Sequence, residues 1–280
     1  MRPSERVVAL KSERPWPLGP TLNTLFSGIL AKMENTSYQI TKVDADVFFK
    51  TKFPRIVLVG YACCGKSEAV KAICHSIKGQ YHHVFVHSRS EPQQKFYEQF
   101  IPSDCISSEP NFDKLREAYE DQRARKRSYA SKVTSGEITL EEAQKECQML
   151  IVLEDIDCMG NGVFKDELIK QIWMNGHHEW ITFILTLQVA KGMGPMLRDQ
   201  SDWFVTWYDP SATNQKRLFE DWVGYFPSVR DFKKVYNDIT GVHKCLVVDK
   251  RYQPEKTHDV ESNIFSWAPS LIEESFALIQ

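Results

Sequence analysis

Residues 56–67 read Ile-Val-Leu-Val-Gly-Tyr-Ala-Cys-Cys-Gly-Lys-Ser, and this stretch decides the fold. Its first four residues form a continuous apolar run, which is typical of a strand buried on both faces of a parallel sheet. The remaining eight residues fit the pattern G-x-x-x-x-G-K-[ST] at every fixed position. Apolar residues then recur at helical spacing over residues 69–77. A strand, a glycine-bounded loop and an amphipathic helix in this order predict a phosphate-binding loop.

The predicted phosphate loop comprises Gly60, Tyr61, Ala62, Cys63, Cys64, Gly65, Lys66 and Ser67. In such a loop the backbone N–H groups point at one phosphate, and the following helix presents its positive end to it. Lys66 would reach the β- and γ-phosphates of ATP, and the Ser67 hydroxyl would bind Mg²⁺. The loop interior has none of the extra glycine, proline or serine common in such loops, so a positive φ there would be strained.

A second apolar run, residues 149–153, ends in Glu154 and Asp155. Hydrolysis needs one carboxylate to hold the metal ion and another to orient the attacking water. The carboxyl ends of strands are where an open α/β sheet places its ligands. We assign Glu154 to the metal ion and Asp155 to the water; the reverse order stays open, and Asp157 is a third candidate.

Two further polar residues are candidates for catalysis. Gln188 follows the apolar run of residues 181–187, where its amide would sense the γ-phosphate or, equally well, satisfy a loop backbone. Arg198 would stabilise transition-state charge, within the subunit or across an interface. A surface salt bridge is the simpler alternative for this arginine.

Apolar runs alternate with helical segments along most of the chain, which predicts an α/β fold with a mainly parallel sheet flanked by helices. We divide the chain into an N-terminal arm (residues 1–40), an ATPase core (residues 41–250) and a C-terminal tail (residues 251–280). The core carries a charged helical insert at about residues 110–148, in which Thr139 and Glu142 have the spacing of a capping box.

Charge and composition limit the kinds of partner. The formal net charge is −2, so contact with DNA would have to come from a local basic patch. Residues 123–127, Arg-Ala-Arg-Lys-Arg, are the best candidate, but the acidic residues just before them also fit a solvated helix face.

Cysteine usage and hydropathy indicate the compartment. The seven cysteines show no pair at the spacing of a zinc or redox site, which favours reduced thiols in a cytosolic compartment. No apolar run approaches the roughly 20 residues needed to cross a bilayer, so we expect no membrane insertion.

Several later segments, in their order and spacing, resemble the DNA-packaging ATPases of large eukaryotic DNA viruses, the poxvirus-type branch of the FtsK–HerA group of P-loop NTPases. The series begins with the phosphate loop, the insert and the acidic end of the strand, which Cys158-Met159 follows closely. The later segments are Met-Asn-Gly-His-His at 174–178, the strand ending at Gln188, Pro-Met-Leu-Arg at 195–198 and Lys-Cys-Leu-Val-Val-Asp at 244–249. The resemblance covers roughly residues 50–250. The sequence departs from it in the order Glu-Asp at the acidic pair and in His177, where arginine is usual.

The resemblance implies a RecA-like ATPase core that hydrolyses ATP with Mg²⁺, assembles into a homo-oligomeric ring and translocates double-stranded DNA into a capsid. It also implies capsid or portal components as partners, and a place in the host cytoplasm at the viral assembly site or in association with the virion. Related ATPases occur in virophages and virus-like transposons, so the source stays open.

Two alternatives use the same loop. One is a nucleotide or small-molecule kinase, which would need an acceptor pocket and an arginine-rich lid. The other is a non-motor P-loop switch in which ATP binding controls assembly. The Glu-Asp strand end and Gln188 suit hydrolysis with sensing better than a kinase.

Overall fold

The computed structural model describes residues 37–109, 111–160, 162–189, 193–251 and 259–279. Residues from Gln39 onward form one compact unit. The predicted N-terminal arm lies outside the described residues except for its last four positions. No helix in the described ranges combines the length and the apolar character needed to span a bilayer.

A single sheet of nine strands, counted over the described residues, forms the centre of the fold. The strands are Thr41–Val43 (β1), Arg55–Val59 (β2), His83–Ser88 (β3), Ile106–Ser107 (β4), Met149–Glu154 (β5), Ile181–Leu187 (β6), Trp203–Trp207 (β7), Cys245–Asp249 (β8) and Ile264–Trp267 (β9). Their order is β1-β9-β8-β7-β2-β6-β5-β3-β4. Among these strands only β8 runs antiparallel to its neighbours. The predicted mainly parallel α/β sheet is confirmed.

Helices cover the sheet. The α-helices are Lys66–Ser76 (α1), Glu91–Gln94 (α2), Asp113–Ser135 (α3), Leu140–Cys147 (α4), Glu167–Asn175 (α5), Pro195–Asp199 (α6), Ala212–Asp221 (α7), Val229–Ile239 (α8) and Val260–Asn263 (α9). Short 3₁₀ helices span Ala45–Lys50, Tyr97–Gln99, Ser103–Cys105, Ile156–Met159, Val163–Lys165 and Gly176–Glu179. Because both faces of the sheet are covered, its central strands are apolar along nearly their whole length.

The carboxyl ends of five neighbouring strands lie side by side along one edge of the sheet, the carboxyl edge. Strands β7, β2, β6, β5 and β3 are adjacent and mutually parallel, so all five end on the same side. The register pairs Ser88, the last residue of β3, with Glu154, the last residue of β5. This edge is where a sheet of this kind places its ligands.

The charged insert is helical, as the sequence predicts. It forms α3 and α4, and the capping box at the start of α4 is confirmed: Glu142 N–H donates to Thr139 Oγ1 (3.2 Å), and Thr139 N–H donates to Glu142 Oε2 (2.8 Å).

The residues after 251 contribute to the sheet, so a boundary at that position does not follow the fold. Strand β9 pairs with β8 and with β1. Further on, the Leu278 side chain is fully buried in the main core. Strands β1 and β9 have only three and four residues and depend on pairing with distant strands, which no local pattern in the sequence indicates.

Candidate functional site

The predicted phosphate loop lies between β2 and α1, and two of its residues have positive φ. Gly65 has φ +105°, a region that favours glycine, and Cys63 has φ +62°. The predicted strain at a non-glycine position therefore falls on Cys63. Lys66 Nζ donates to the carbonyl oxygens of Gly60 (2.8 Å) and Tyr61 (3.0 Å), so the lysine side chain folds back over the loop.

Gly60 allows the loop to lie close to its neighbours. A Cβ atom at this position would lie 2.5 Å from Cys64 Sγ and 3.3 Å from Trp207 Cε3. A side chain here would therefore push the Cys64 thiol aside and press against the Trp207 ring.

Tyr61 connects the loop to the segment after β7. Its hydroxyl donates to Asp209, whose second carboxylate oxygen accepts from the Asn214 amide. Partial burial and the Asp209 carboxylate raise the pKa of Tyr61 to about 12, so the tyrosine remains a hydrogen-bond donor near neutral pH.

Glu154 is the centre of a cluster of hydroxyl groups. Its Oε1 accepts from Ser67 (2.7 Å) and Tyr97 (3.1 Å), and its Oε2 accepts from Ser88 (2.5 Å) and Ser90 (3.2 Å). The Tyr97 side chain is fully buried, and burial together with the Glu154 charge raises its pKa well above the ordinary value. The glutamate is thus held in one orientation facing the first turn of α1.

Asp155 lies next to Lys66 and to the end of β6. Its Oδ1 is 3.5 Å from Lys66 Nζ and accepts from the Thr186 hydroxyl (3.0 Å), and its Oδ2 accepts from the Gln188 amide (3.0 Å). Asp155 has φ +44°, which is uncommon for a residue other than glycine. Strained backbone of this kind concentrates at functional sites.

Asp157 holds the loop that follows β6. Its Oδ2 accepts from the backbone N–H groups of Gln188 (2.9 Å) and Val189 (3.0 Å). Burial raises the pKa of Asp157. The third candidate carboxylate is therefore bound to the backbone that carries Gln188, while the Gln188 side chain remains directed at Asp155.

A cavity of about 900 Å³ opens above the loop. Its lining includes the predicted residues Ala62, Cys63, Cys64, Gly65, Lys66, Ser67, Glu154, Asp155 and Gln188. It also includes residues that the sequence did not indicate: Glu68, Arg89, Ser90, Gln94, Phe96, Cys158, Trp207, His243, Pro269 and Leu271. The volume lies within the range of small-molecule and cofactor sites.

Arg198 does not line this cavity. Its guanidinium donates to the Met193 carbonyl (2.9 Å) and forms an ion pair with Asp221 (3.0 Å). This arrangement matches the salt-bridge alternative within the subunit. A role across an interface stays a prediction.

Most of the basic run at 123–127 also has partners in the same chain. Lys126 and Arg123 approach Glu179 to 3.5 and 4.0 Å, and Arg125 donates to Gln122. Arg127 is exposed, and none of the described residues forms an ion pair with it.

The oxygen atoms of Ser67 and Glu154 suit a hard cation. A hydroxyl and a carboxylate 2.7 Å apart provide the type of ligand that Mg²⁺ prefers. No group of three or more His, Cys, Asp or Glu side chains in the described ranges could hold a metal ion. The remaining ligands of a cation here would be phosphate oxygens and water, as is usual for Mg²⁺ at nucleotide sites.

Sequence reasoning missed Ser88, Tyr97 and Arg89. Ser88 is the last residue of β3 and Arg89 follows it directly, so the end of that strand was a usable signal once β3 was placed beside β5. Tyr97 lies in a short 3₁₀ helix, and nothing in its local sequence indicates contact with Glu154.

Solved structures with a similar fold include the genome packaging NTPase B204 from Sulfolobus turreted icosahedral virus 2 in complex with sulfate. Its TM-score is 0.53 at 14% identity, and the alignment covers 78% of this chain and 97% of that one. EssC (ATPases 2 and 3) from Geobacillus thermodenitrificans gives a TM-score of 0.52 at 11% identity, over 86% of this chain and 49% of that one. At these identities the likeness is one of fold, and it agrees with the predicted P-loop ATPase architecture.

Viral relatives are similar in sequence. Protein L437 of Acanthamoeba polyphaga mimivirus is 26% identical over 237 residues, which cover 81% of this chain and 75% of the relative. Protein 088R of Invertebrate iridescent virus 3 is 25% identical over 195 residues, covering 69% of this chain and 68% of the relative. The profile of the family described as Poxvirus A32 protein matches residues 41–212, which hold the phosphate loop and the acidic strand end. That match spans more than half of the chain, and the chain therefore belongs to the Poxvirus A32 protein family.

Proposed function

We propose that this protein hydrolyses ATP and uses the free energy to translocate double-stranded DNA into a viral capsid. One observation carries the hydrolase part of the proposal. Lys66, Ser67, Glu154, Asp155 and Gln188 all line one cavity and are linked by hydrogen bonds or an ion pair at the carboxyl edge of a parallel sheet.

The phosphate loop binds the triphosphate. Its N–H groups and the start of α1 favour negative charge, and Lys66 Nζ moves from the Gly60 and Tyr61 carbonyls to the β- and γ-phosphates. The same ammonium lies 3.5 Å from Asp155, so Lys66 stands next to the carboxylate that would orient the water.

The two acidic residues have separate tasks. Ser67 and Glu154 would hold Mg²⁺, which when bound neutralises charge on the phosphate oxygens. Asp155 orients the attacking water, and its bonds to Thr186 and Gln188 fix the carboxylate for that task. Gln188 connects Asp155 to the loop held by Asp157, so loss of the γ-phosphate can be passed to that loop.

The motor part of the proposal is supported by the family and by the fold. The chain belongs to the Poxvirus A32 protein family, and a protein with the same fold, B204, is described as a genome packaging NTPase. By this analogy the protein acts as a homo-oligomeric ring on DNA, with capsid or portal components as partners. Its place is the host cytoplasm at the site of virus assembly, or the virion.

Phosphate contacts to DNA need only positive charge. In the basic run, Arg127 is the side chain best placed for such a contact, since Arg123, Arg125 and Lys126 are engaged within the chain. Replacing all four basic residues by alanine should abolish stimulation by DNA and leave basal hydrolysis intact. Survival of the stimulation would remove this run from the proposal.

The test is ATP hydrolysis by the purified protein with and without linear double-stranded DNA. The variant Lys66→Ala should abolish hydrolysis, and Lys71→Ala, in the same helix but outside the cavity lining, should not. Stimulation by DNA supports a motor. Hydrolysis that is indifferent to DNA contradicts it, and binding without turnover favours an assembly switch.

A further inference from the structure

The wall of the cavity changes in character away from the phosphate loop. Lys66, Ser67 and Glu154 make one part charged and polar, whereas Phe96, Pro269 and Leu271 make another part apolar. Pro269 and Leu271 come from the segment after β9, which has no recognisable motif. Hydrolysis of the bond to the γ-phosphate does not need these three side chains.

The segment after β9 is fixed to α1 beyond the cavity. Glu274 pairs with His75 (2.8 Å) near the end of α1, and Gly79 N–H donates to the Leu278 carbonyl (3.0 Å). Pro269 and Leu271 line the same cavity as Gly65 and Ser67, which lie at the start of this helix. The chain therefore runs along α1, with its anchors at one end of the helix and its cavity residues at the other.

The same segment is packed against the part of the chain that carries Phe96. The Phe276 ring stacks on Phe100 (5.0 Å between centroids, 22° between planes), and Leu278 N–H donates to the Phe100 carbonyl (2.9 Å). Phe100 in turn has an edge contact with Phe96 (5.9 Å). Phe96 and the segment after β9 are thus held together as parts of one apolar wall.

Leu271 is 65% exposed although it lies in the wall of a cavity. An apolar side chain held in such a place gains free energy when an apolar group covers it. A nucleotide anchored by its phosphates has one group of that kind, the flat face of its base. We propose that Pro269, Leu271 and Phe96 form the binding site for the nucleoside base, an assignment that rests on the proposed ATP hydrolase function.

The chemistry of this wall indicates what it recognises. Aromatic and aliphatic side chains contact the face of a base, and every base has such a face. Recognition by Phe96, Pro269 and Leu271 should therefore distinguish a nucleoside triphosphate from a bare polyphosphate, and adenine only weakly from guanine.

The test compares Leu271→Ala with Leu140→Ala. Leu140 is also an exposed leucine (54%), but it lies at the start of α4 and does not line the cavity. Each variant and the natural chain are titrated calorimetrically with ATP, GTP and inorganic tripolyphosphate. We expect Leu271→Ala to weaken the affinity for ATP and for GTP about fivefold each and to leave the affinity for tripolyphosphate unchanged. Leu140→Ala should change none of the three.

Two results would overturn the base site while the phosphate site stands. Unchanged affinity of Leu271→Ala for ATP would show that the base lies elsewhere. An equal loss for ATP and tripolyphosphate would show that the leucine supports the loop rather than a base. If the natural chain binds neither ATP nor tripolyphosphate, the proposed function itself fails, and the base site fails with it.

Discussion

The Ser67 hydroxyl, in the first turn of α1, donates to Glu154 Oε1, at the end of β5, across 2.7 Å. In contrast, Asp155 makes its contacts with Lys66, Thr186 and Gln188. The two neighbouring carboxylates therefore face different partners, which supports the assignment of Glu154 to the cation and Asp155 to the water.

Glu154→Gln and Asp155→Asn should impair hydrolysis in different ways. Glu154→Gln keeps the shape of the side chain but removes its charge, so more Mg²⁺ should be needed for half-maximal hydrolysis. Asp155→Asn should lower kcat about 100-fold at saturating Mg²⁺. A Mg²⁺ titration of the hydrolysis rate separates the two effects, with tripolyphosphate binding in EDTA as the control for an intact loop. The opposite pattern would reverse the assignment.

Tyr97→Phe should weaken the positioning of Glu154. The variant removes one buried hydroxyl donor and leaves the ring in place. We expect a loss of about 1 kcal/mol in the free energy of unfolding and a severalfold lower kcat at unchanged KM for ATP. Tyr119→Phe, another buried tyrosine whose ring lies on α3 away from Glu154, is the matched control. Equal kinetics in the two variants would contradict a positioning role for Tyr97.

Arg198 and Arg89 should show opposite phenotypes. Arg198 is engaged by Asp221 and the Met193 carbonyl, so Arg198→Met should lower the free energy of unfolding by about 2 kcal/mol and leave basal kcat near its natural value. Arg89 is exposed, lines the cavity and has no ion-pair or hydrogen-bond partner among the described residues. Arg89→Met should therefore weaken ATP binding about tenfold without loss of stability.

Urea unfolding and steady-state hydrolysis measured on both variants check this pair of predictions. A fall in kcat for Arg198→Met at unchanged stability would instead support the catalytic role that the sequence indicated for Arg198.

His87 should make the protein less stable in mild acid. Its side chain is buried next to Phe112, and its ring nitrogens have no hydrogen-bond partner among the described residues. Burial lowers the pKa of His87 from 6.5 to about 4, so between these values the unfolded chain binds the proton and the folded chain does not. Stability is therefore complete above pH 6.5 and falls as the pH drops towards 4, by at most about 1.4 kcal/mol per pH unit.

The variant His87→Phe should reduce this acid sensitivity. Urea unfolding at pH 7.0, 6.0 and 5.0 measures how the free energy of unfolding changes with pH. The acid sensitivity that remains in the variant includes the contribution of His83, whose pKa is also lowered to about 4 by burial. An unchanged pH dependence in His87→Phe would show that His87 does not contribute.

The sequence predicted the features that depend on local pattern. The loop at residues 60–67 and the acidic end of β5 are short motifs beside strongly apolar strands, and both lie where we expected. The hydroxyl cluster around Glu154 could not be predicted, because it depends on the register that pairs Ser88 with Glu154. The surroundings of Arg198 depend in the same way on where α7 places Asp221.

Strands β1 and β9 are the last two strands on one side of the sheet, and they join the beginning and the end of the described chain. Thr41 pairs with Phe265 and Val43 with Trp267. During synthesis on a ribosome, β1 and the phosphate loop emerge long before β9 exists. Pairing at such sequence separation raises contact order, which slows folding and leaves strand edges open to aggregation. A nascent chain of this protein therefore carries the predicted phosphate loop on an incomplete sheet. If the loop binds nucleotide as we propose, nucleotide that binds early would act as a ligand that stabilises a folding intermediate.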